Sequence, residues 1–263
     1  MTGLITNETY LLNKFKNDNI LECNTFTMIS ILIKKYYLDG LDKDSIYKTI
    51  MDDLNIYFGN DFIYTNWDAN LKKWIKRFYR NLYVYKAEVK LIDIESILIT
   101  KKELEKISSL NNLILEKLAF ILLVYAKVTN TQFQKTDGWV NKSSQVICKE
   151  AHVDLRGNDQ RKIFYELNKL KFISNSTNNE KTSIKVEFVD CAEDSEIAFE
   201  INDFDEVIYL YLIFKGQQWI RCEKCNKWIV PKNNKTKYCV KCAKEVKLEN
   251  DRQIQQKRYN SRK

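Results

Sequence analysis

Apolar residues recur every three or four positions through residues 1–85, which is the spacing of amphipathic helices. Three stripes show this spacing: Phe26, Ile29, Ile33 and Tyr37; Ile46, Ile50, Met51 and Leu54; and Leu71, Trp74, Ile75, Phe78 and Leu82. Gly40 is suited to end the first helix, Asp42 to cap the second and Asn66 to open the third. The pattern predicts a helical domain over residues 1–95, with Trp74 and Phe78 in its core rather than on a base-stacking platform.

A different order of elements follows over residues 96–190. TKKE at residues 100–103 is a capping box that begins a helix, and the apolar run LEKLAFILLVYAKV at residues 115–128 predicts a buried helix. After it come GWVN at residues 138–141, two short helical segments and a hairpin that ends in the alternating strand IKVEFVD. Helix, short strand, helix, helix and hairpin is the order of a winged helix-turn-helix, so we predict a winged-helix domain here.

The last helix of that domain, predicted over residues 158–170, is the candidate DNA-reading helix. Its apolar side is formed by Ile163, Phe164, Leu167 and Leu170. The opposite side carries six candidate DNA contacts that can donate hydrogen bonds to base edges or phosphates: Asn158, Arg161, Lys162, Tyr165, Asn168 and Lys169. Lys181, in the hairpin tip at residues 175–181, is a further candidate in the wing. Asp159 and Glu166 dilute the charge, so a solvated or protein-binding face is the alternative.

Cysteine spacing gives the strongest chemical signal in the chain. Two CxxC pairs, in RCEKC and YCVKC, contain Cys222, Cys225, Cys239 and Cys242. Each pair can present two thiolates to one ion, and the loop between the pairs is close to the roughly 15 to 20 residues of four-cysteine zinc sites. We therefore predict one structural Zn²⁺ ion, since four thiolates leave no open position for catalysis. Cys23, Cys148 and Cys191 stand singly among apolar neighbours, which indicates core residues in a reducing compartment.

Positive charge is concentrated after residue 214, where the chain has fifteen Lys and Arg residues against four Asp and Glu residues. Nine of these cations are candidate phosphate contacts: Lys224, Lys227, Lys232, Lys235, Lys237, Lys241, Lys244, Lys257 and Arg258. The asymmetry predicts a polyanion partner, although an anionic membrane or an acidic protein surface would also satisfy it. A purely structural zinc module followed by a solvated tail, helical at first and then frayed, is the alternative.

The predicted fold class is therefore mainly α with small β elements (α+β). We divide the chain into a helical N-terminal domain (1–95), a winged-helix domain (96–190), a connecting strand and helix (191–214) and a zinc ribbon with a basic tail (215–263). Within the connecting segment, an apolar helix over residues 204–214 is expected to dock the ribbon to the body.

Several classes of protein are disfavoured by what the sequence lacks. No apolar run reaches the roughly 18 to 20 residues that span a bilayer, and the first residues have no signal-peptide pattern, which predicts a cytoplasmic protein without membrane contact. The chain has a single histidine, His152, and no glycine-rich phosphate loop. No group of carboxylates stands out from the helix surfaces. We therefore expect no enzymatic activity.

Four segments, LEKLAFILLVYAKV, GWVN, YELNKLKFIS and RCEKCNKW…NKTKYCVKCAKEV, together resemble a family of poorly characterised proteins from phages and other mobile elements of low-GC Gram-positive bacteria. The resemblance covers residues 100–263 and, more loosely, the N-terminal helices. It implies a winged helix followed by a zinc ribbon, with the four cysteines as metal ligands. The Lys-, Ile- and Asn-rich composition fits an AT-rich genome.

These features predict a non-enzymatic DNA-binding protein of a phage or mobile element that acts in replication or transcription control, with duplex DNA as its partner. The alternative is a phage-encoded anti-defence inhibitor whose basic end binds a host nucleic-acid-processing or defence nuclease complex. An accessory subunit of a nuclease or primase is a third, weaker hypothesis. The sequence gives no oligomeric state.

Overall fold

The structure is a computed structural model, and it describes residues 6–86, 88–132, 137–176, 183–190 and 195–260. Helices dominate it and small antiparallel sheets accompany them, so the predicted α+β class is confirmed. The chain divides into two compact units. The N-terminal unit contains the described residues up to Ile97 together with 128–132, and the C-terminal unit contains 98–127 and the described residues from 137 onward.

The N-terminal unit contains four α-helices in its described residues: α1 (Glu8–Asp18), α2 (Thr25–Leu38), α3 (Lys43–Phe58) and α4 (Tyr64–Tyr85). Asp42 caps α3 by accepting a hydrogen bond from the Ser45 N–H at 2.7 Å, as predicted. Gly40, with φ of 83°, directly follows the end of α2, also as predicted. The prediction for Asn66 is wrong by two residues, because the Asn66 N–H already donates to the Ile63 carbonyl and closes a turn before it.

The core of this unit is formed by residues that α1 to α4 contribute at helical spacing. Its buried members are Leu12, Phe15, Met28, Ile29, Ile31, Leu32, Ile33, Tyr36, Ile46, Ile50, Met51, Leu54, Leu71 and Ile75. Trp74 and Phe78, which were predicted to lie in the core, are half-buried and pack against it, whereas Phe26 is 61% exposed although it shares the apolar stripe of α2. Phe26 lies in the first turn of α2, where its ring contacts Trp74 and leaves its other side uncovered.

The chain continues with β1 (Ile97–Thr100), α5 (Lys101–Ser108), α6 (Leu113–Gln132), β2 (Trp139–Val140), α7 (Ser144–Glu150), α8 (Gly157–Lys169), β3 (Ile173–Asn175), β4 (Ile184–Val186), β5 (Ile197–Ile201), α9 (Ile208–Phe214), β6 (Ile220–Arg221), β7 (Trp228–Ile229) and α10 (Val240–Asn260). The buried helix predicted over residues 115–128 is confirmed as the centre of α6. The capping box is confirmed as well, because the Thr100 and Glu103 side chains accept from each other's backbone N–H groups.

The described strands form three small sheets. β1 pairs with β5, and β6 pairs with β7 in an antiparallel hairpin. In the third sheet β4 is central and antiparallel to both neighbours, with Val140 opposite Ile184 on β2 and Ile173 opposite Val186 on β3. β2, which lies between α6 and α7, therefore pairs with the β3–β4 hairpin that follows α8. One sheet thus contains the strands on both sides of the α7–α8 segment.

Gly138 permits the close approach of the chain to β4 before β2. It has φ of 81°, its carbonyl accepts from the Val186 N–H, and a Cβ atom there would lie 2.7 Å from the Val186 carbonyl oxygen. Gly216 has φ of 83° but open space around its Cβ position. We expect Gly138→Ala to reduce the free energy of unfolding by about 2 to 4 kcal/mol and Gly216→Ala by about 1 to 2 kcal/mol. Urea titrations of both variants measure the difference, and equal losses would contradict the steric explanation.

Candidate metal centre and its basic surroundings

Two tight turns bring the four cysteines together. The first turn is closed by two hydrogen bonds of 2.9 Å. The Cys222 N–H donates to the Lys227 carbonyl, and the Asn226 N–H donates to the Cys222 carbonyl. Asn226 has φ of 57°, a left-handed conformation that asparagine tolerates well. The second pair stands at the start of α10, where Cys239 lies just before the helix and Cys242 lies in its first turn. A hairpin and a helix N-terminus therefore supply two ligands each.

The cluster has the dimensions of a tetrahedral thiolate site. The four sulfur atoms lie within 4.8 Å of one another, and the Cys225 and Cys239 sulfurs are 3.8 Å apart. In a regular tetrahedron with Zn–S bonds of about 2.3 Å, the sulfurs are about 3.8 Å apart. Among the described residues, this is the one group of three or more His, Cys, Asp and Glu side chains close enough to share a metal. The cluster can therefore hold one metal ion, and its four-sulfur composition fits zinc.

Backbone N–H groups favour thiolates in part of the cluster. Burial opposes ionisation of Cys222, but N–H groups of the cysteine turns, including that of Cys239 at 3.3 Å from the sulfur, lower its pKa to about 6. The Cys242 N–H likewise lowers the pKa of Cys239. Burial and the neighbouring sulfurs raise the pKa of Cys242 to about 12. Four thiolates so close together require a cation between them, and a coordinated thiol is fully deprotonated.

An aromatic cluster joins the cysteine module, which we define as residues 220–242, to the rest of the C-terminal unit. The Tyr209 ring of α9 packs against Trp219 and Trp228, with ring centroids 4.4 Å and 5.3 Å apart. The same ring packs against His152, with centroids 5.2 Å apart and the two ring planes nearly perpendicular. His152 lies in the turn between α7 and α8, so the cysteine module is docked beside the turn that leads into α8.

Arg221 fixes the module at a second point. Its guanidinium carbon lies 4.2 Å from the centre of the Trp228 ring, and its nitrogens donate to the Asn226 carbonyl inside the first cysteine turn. The same side chain forms an ion pair with Asp203 at 2.7 Å. Arg221 thus connects the metal-binding turn to the segment before α9. The sequence did not predict this linking role of Arg221, because nothing in the sequence distinguishes it from the other cations near the cysteines.

Helix α9 is in turn anchored to α6 through a buried carboxylate. Glu116 of α6 accepts a hydrogen bond from the Tyr211 hydroxyl at 2.9 Å and lies 3.1 Å from the Lys215 ammonium group. Phe120, one turn further along α6, stacks on the Tyr211 ring. The helix that was predicted over residues 204–214 begins four residues later, at Ile208. Its contacts with α6, together with the contact of Tyr209 with Trp228, support the expectation that this segment docks the cysteine module to the body.

The cations around the cysteine module differ in their electrostatic surroundings. Lys224 is paired with Glu245 at 2.7 Å and Lys237 with Glu223 at 3.2 Å, so these two predicted phosphate contacts are partly neutralised. The other predicted contacts are exposed and form no ion pair with a described residue: Lys227, Lys232, Lys235, Lys241, Lys244 and Lys257. The side chain of Arg258 lies outside the described residues. Most of the predicted charge is therefore free to face solvent or a ligand.

The tail forms more helix than the sequence indicated. α10 continues to Asn260, whereas we expected the chain to fray after its first turns. The segment has no proline or glycine and is rich in Lys, Glu, Gln and Arg, all of which lose little side-chain freedom in a helix. The Gln253 amide also donates to Glu249, four residues earlier. Lys257 is thus fixed on a helix.

Helix α8 presents most of the residues that were predicted to contact DNA. Asn158, Arg161, Lys162, Tyr165 and Lys169 are exposed, and Tyr165 is 71% exposed. Asn168 is half-buried and its amide donates to the Ile173 carbonyl at 3.2 Å, so it helps to form the turn into β3. Lys181 and most of the wing tip lie outside the described residues. On the apolar side Leu167 is buried, but Leu170 is 45% exposed because it follows the last turn of the helix.

None of the helices in the described part of the chain combines the length and the apolar composition that crossing a membrane requires. Comparisons of the chain with protein-family models, with curated proteins and with solved structures give no match. The features of the C-terminal unit that bear on function are the cysteine cluster, helix α8 and the exposed cations around them.

Proposed function

We propose that the protein is a non-enzymatic DNA-binding protein of a phage or mobile element, and that its partner is duplex DNA. In this proposal residues 96–190 form a winged helix-turn-helix with α8 as the groove-reading helix. The order α6, β2, α7, α8, β3, β4 supports it, as does the pairing of β2 with the hairpin after α8. An α8 helix whose outer side is uncovered can enter the major groove.

The cysteine module acts, in the same proposal, as a zinc ribbon that grips the DNA backbone. One observation carries this: the Tyr209 ring contacts both Trp228 of the module and His152 of the turn before α8. Exposed lysines of the module, such as Lys232 and Lys235, therefore belong to the same unit as the cations of α8. Phosphate contacts from such lysines would set the position of the protein, while α8 would supply base contacts.

Zinc has a structural role in this account. Four cysteine ligands fill the tetrahedral shell of the ion, so the metal holds the two turns together and does not activate water. The residues that contact DNA are the lysines and arginines of the surrounding surface. The DNA affinity then depends on zinc only because zinc keeps these side chains in place.

The experiment that tests the proposal is a duplex-DNA titration of the zinc-loaded protein at about 50 to 200 mM salt, in which affinity should fall steeply. We expect Arg161→Glu/Lys162→Glu to weaken binding about 10- to 100-fold, because two phosphate- or base-contacting cations are reversed on α8. The logarithmic salt slope should fall by about 0.9 for each phosphate that the variant no longer neutralises. Fluorescence anisotropy with labelled random-sequence duplexes gives both quantities.

The matched control is Lys90→Glu/Lys102→Glu, which changes the net charge equally at two exposed lysines remote in sequence from α8 and the module. This control should bind duplex DNA like the unchanged protein. Absence of duplex binding at 50 mM salt, or equal losses in both variants, would contradict the proposal. A stoichiometric protein partner recovered after nuclease treatment would then support the inhibitor hypothesis, which the mixed charges of Asp159 and Glu166 on α8 also allow.

A further inference from the structure

Helix α4 of the N-terminal unit carries a dense positive stripe that the balanced overall charge of residues 1–95 conceals. Lys73, Lys76, Arg77 and Arg80 are spaced i, i+3, i+4 and i+7, which places them on one side of the helix over about 10 Å. All four are exposed, and none has a described carboxylate within ion-pair distance. Lys72 lies beside this stripe but is paired with Asp68 at 2.7 Å. Four uncompensated cations on two turns attract a polyanion.

An aromatic cleft runs directly beside the stripe, between α4 and α2. It has a volume of about 320 Å³, which is within the range of ligand clefts. Its lining residues are Phe26, Ile29, Ser30 and Ile33 from α2, and Trp74, Arg77, Phe78 and Asn81 from α4. Arg77 belongs to both features, because it stands on the stripe and on the rim of the cleft.

Phe26 and Trp74 give the cleft an accessible aromatic surface. Their rings meet edge to face, with centroids 5.1 Å apart and an interplanar angle of 87°. Because this contact uses only part of Phe26, the ring remains 61% exposed. The amide of Asn81 and the hydroxyl of Ser30 lie in the same cleft and can form hydrogen bonds with a polar ligand edge. The cleft therefore offers one flat apolar face together with polar groups.

We propose that the α4 stripe and the Phe26–Trp74 cleft form a binding site for single-stranded nucleic acid. A single strand exposes the two chemistries that meet here, since its phosphates follow a row of cations while an unpaired base stacks on an aromatic ring. A duplex keeps its bases inside the stack and cannot use the cleft. A polyanion without rings, such as polyglutamate, would use the stripe but has no aromatic group to stack on Phe26. This site lies in the other unit from the proposed duplex-binding surface and does not depend on it.

The test is a titration of the full-length zinc-loaded protein with a labelled oligothymidylate of about 20 nucleotides. A parallel titration uses a labelled duplex. Phe26→Ala should weaken oligothymidylate binding roughly 5- to 150-fold without changing the salt slope, because it removes stacking but no charge. Arg77→Glu/Arg80→Glu should weaken it at least about 10-fold and reduce the salt slope by about 0.7 for each phosphate that is no longer neutralised. Both variants should bind the duplex as the unchanged protein does.

Two matched control variants show whether a loss of binding comes from the proposed site or from the change in net charge or apolar surface. Lys90→Glu/Lys102→Glu alters the same net charge at exposed positions, and Ile56→Ala removes an apolar side chain that is 73% exposed on α3. Both should leave oligothymidylate binding unchanged. The proposal is overturned if Phe26→Ala has no effect, or if polyglutamate of equal charge competes as well as unlabelled oligothymidylate. Loss of duplex binding alone would refute the DNA-binding function of the C-terminal unit and leave this site standing.

Discussion

Removing the metal should unfold the cysteine module while the N-terminal unit remains folded. Binding of a structural zinc ion by small four-ligand modules has an apparent free energy of about 10 to 16 kcal/mol near neutral pH, and the module has few buried apolar residues to replace it. Within residues 220–242, the buried side chains are Cys222 and Cys242 themselves. We therefore expect a strong chelator to abolish the packing of Trp219 and Trp228 on Tyr209. Near-ultraviolet circular dichroism and amide exchange of residues 220–242 measure this loss.

A single-residue version of this experiment uses Cys242→Ser, which removes one buried ligand. It should reduce bound zinc from one ion per chain to well below stoichiometric, and the module should be unprotected in amide exchange. Cys23→Ser is the matched control, because Cys23 is a half-buried single cysteine of the N-terminal unit. It should keep one zinc ion per chain. Full zinc occupancy in Cys242→Ser would show that the ion is held elsewhere.

Glu103→Gln should cause a large loss of stability in the C-terminal unit, outside the cysteine module. The Glu103 carboxylate is fully buried, lies 2.9 Å from the Lys127 ammonium group and accepts from the backbone N–H groups of Thr100 and Asp190. A glutamine can retain one or two of these hydrogen bonds, but it removes the carboxylate charge that faces the Lys127 ammonium group. Breaking a buried pair in this way costs about 3 to 5 kcal/mol. Urea unfolding followed by circular dichroism gives the value.

Two further variants serve as controls for Glu103→Gln. Glu105→Gln, an exposed position two residues along α5, should change the free energy of unfolding by less than about 0.5 kcal/mol. Because the loss in Glu103→Gln comes mainly from breaking the charge pair, the double variant Glu103→Gln/Lys127→Met should recover part of it. If the double variant is less stable than Glu103→Gln alone, the network does not act as an ion pair.

Local signals in the sequence were sufficient for the features that local geometry determines. The CxxC pairs predicted the cysteine cluster because each turn is closed by hydrogen bonds within six residues, as between Cys222 and Lys227. The Thr100–Glu103 capping box and the Asp42 cap are also contained within four residues. Such motifs depend little on the rest of the chain, so their residue types are enough to identify them.

Long-range contacts determined what the sequence could not predict. Lys224 is neutralised by Glu245, which lies 21 residues later, and Arg221 reaches Asp203, which lies 18 residues earlier. Phe26 shared the helical spacing of core residues, but only the position of Trp74 decides which side of its ring is covered. The charge of α4 was visible in KKWIKRFYR, yet acidic residues elsewhere in the N-terminal part balance it in any overall count.

X-ray absorption spectroscopy of the purified protein at the zinc edge tests the central claim most directly, since the cysteine module, its docking beside α8 and the proposed DNA contacts all depend on the metal centre. The result we predict is one zinc ion per chain with four sulfur neighbours at about 2.3 Å and no nitrogen or oxygen ligand. A first shell that contains nitrogen or oxygen, or protein that folds fully with no bound metal, would contradict the account.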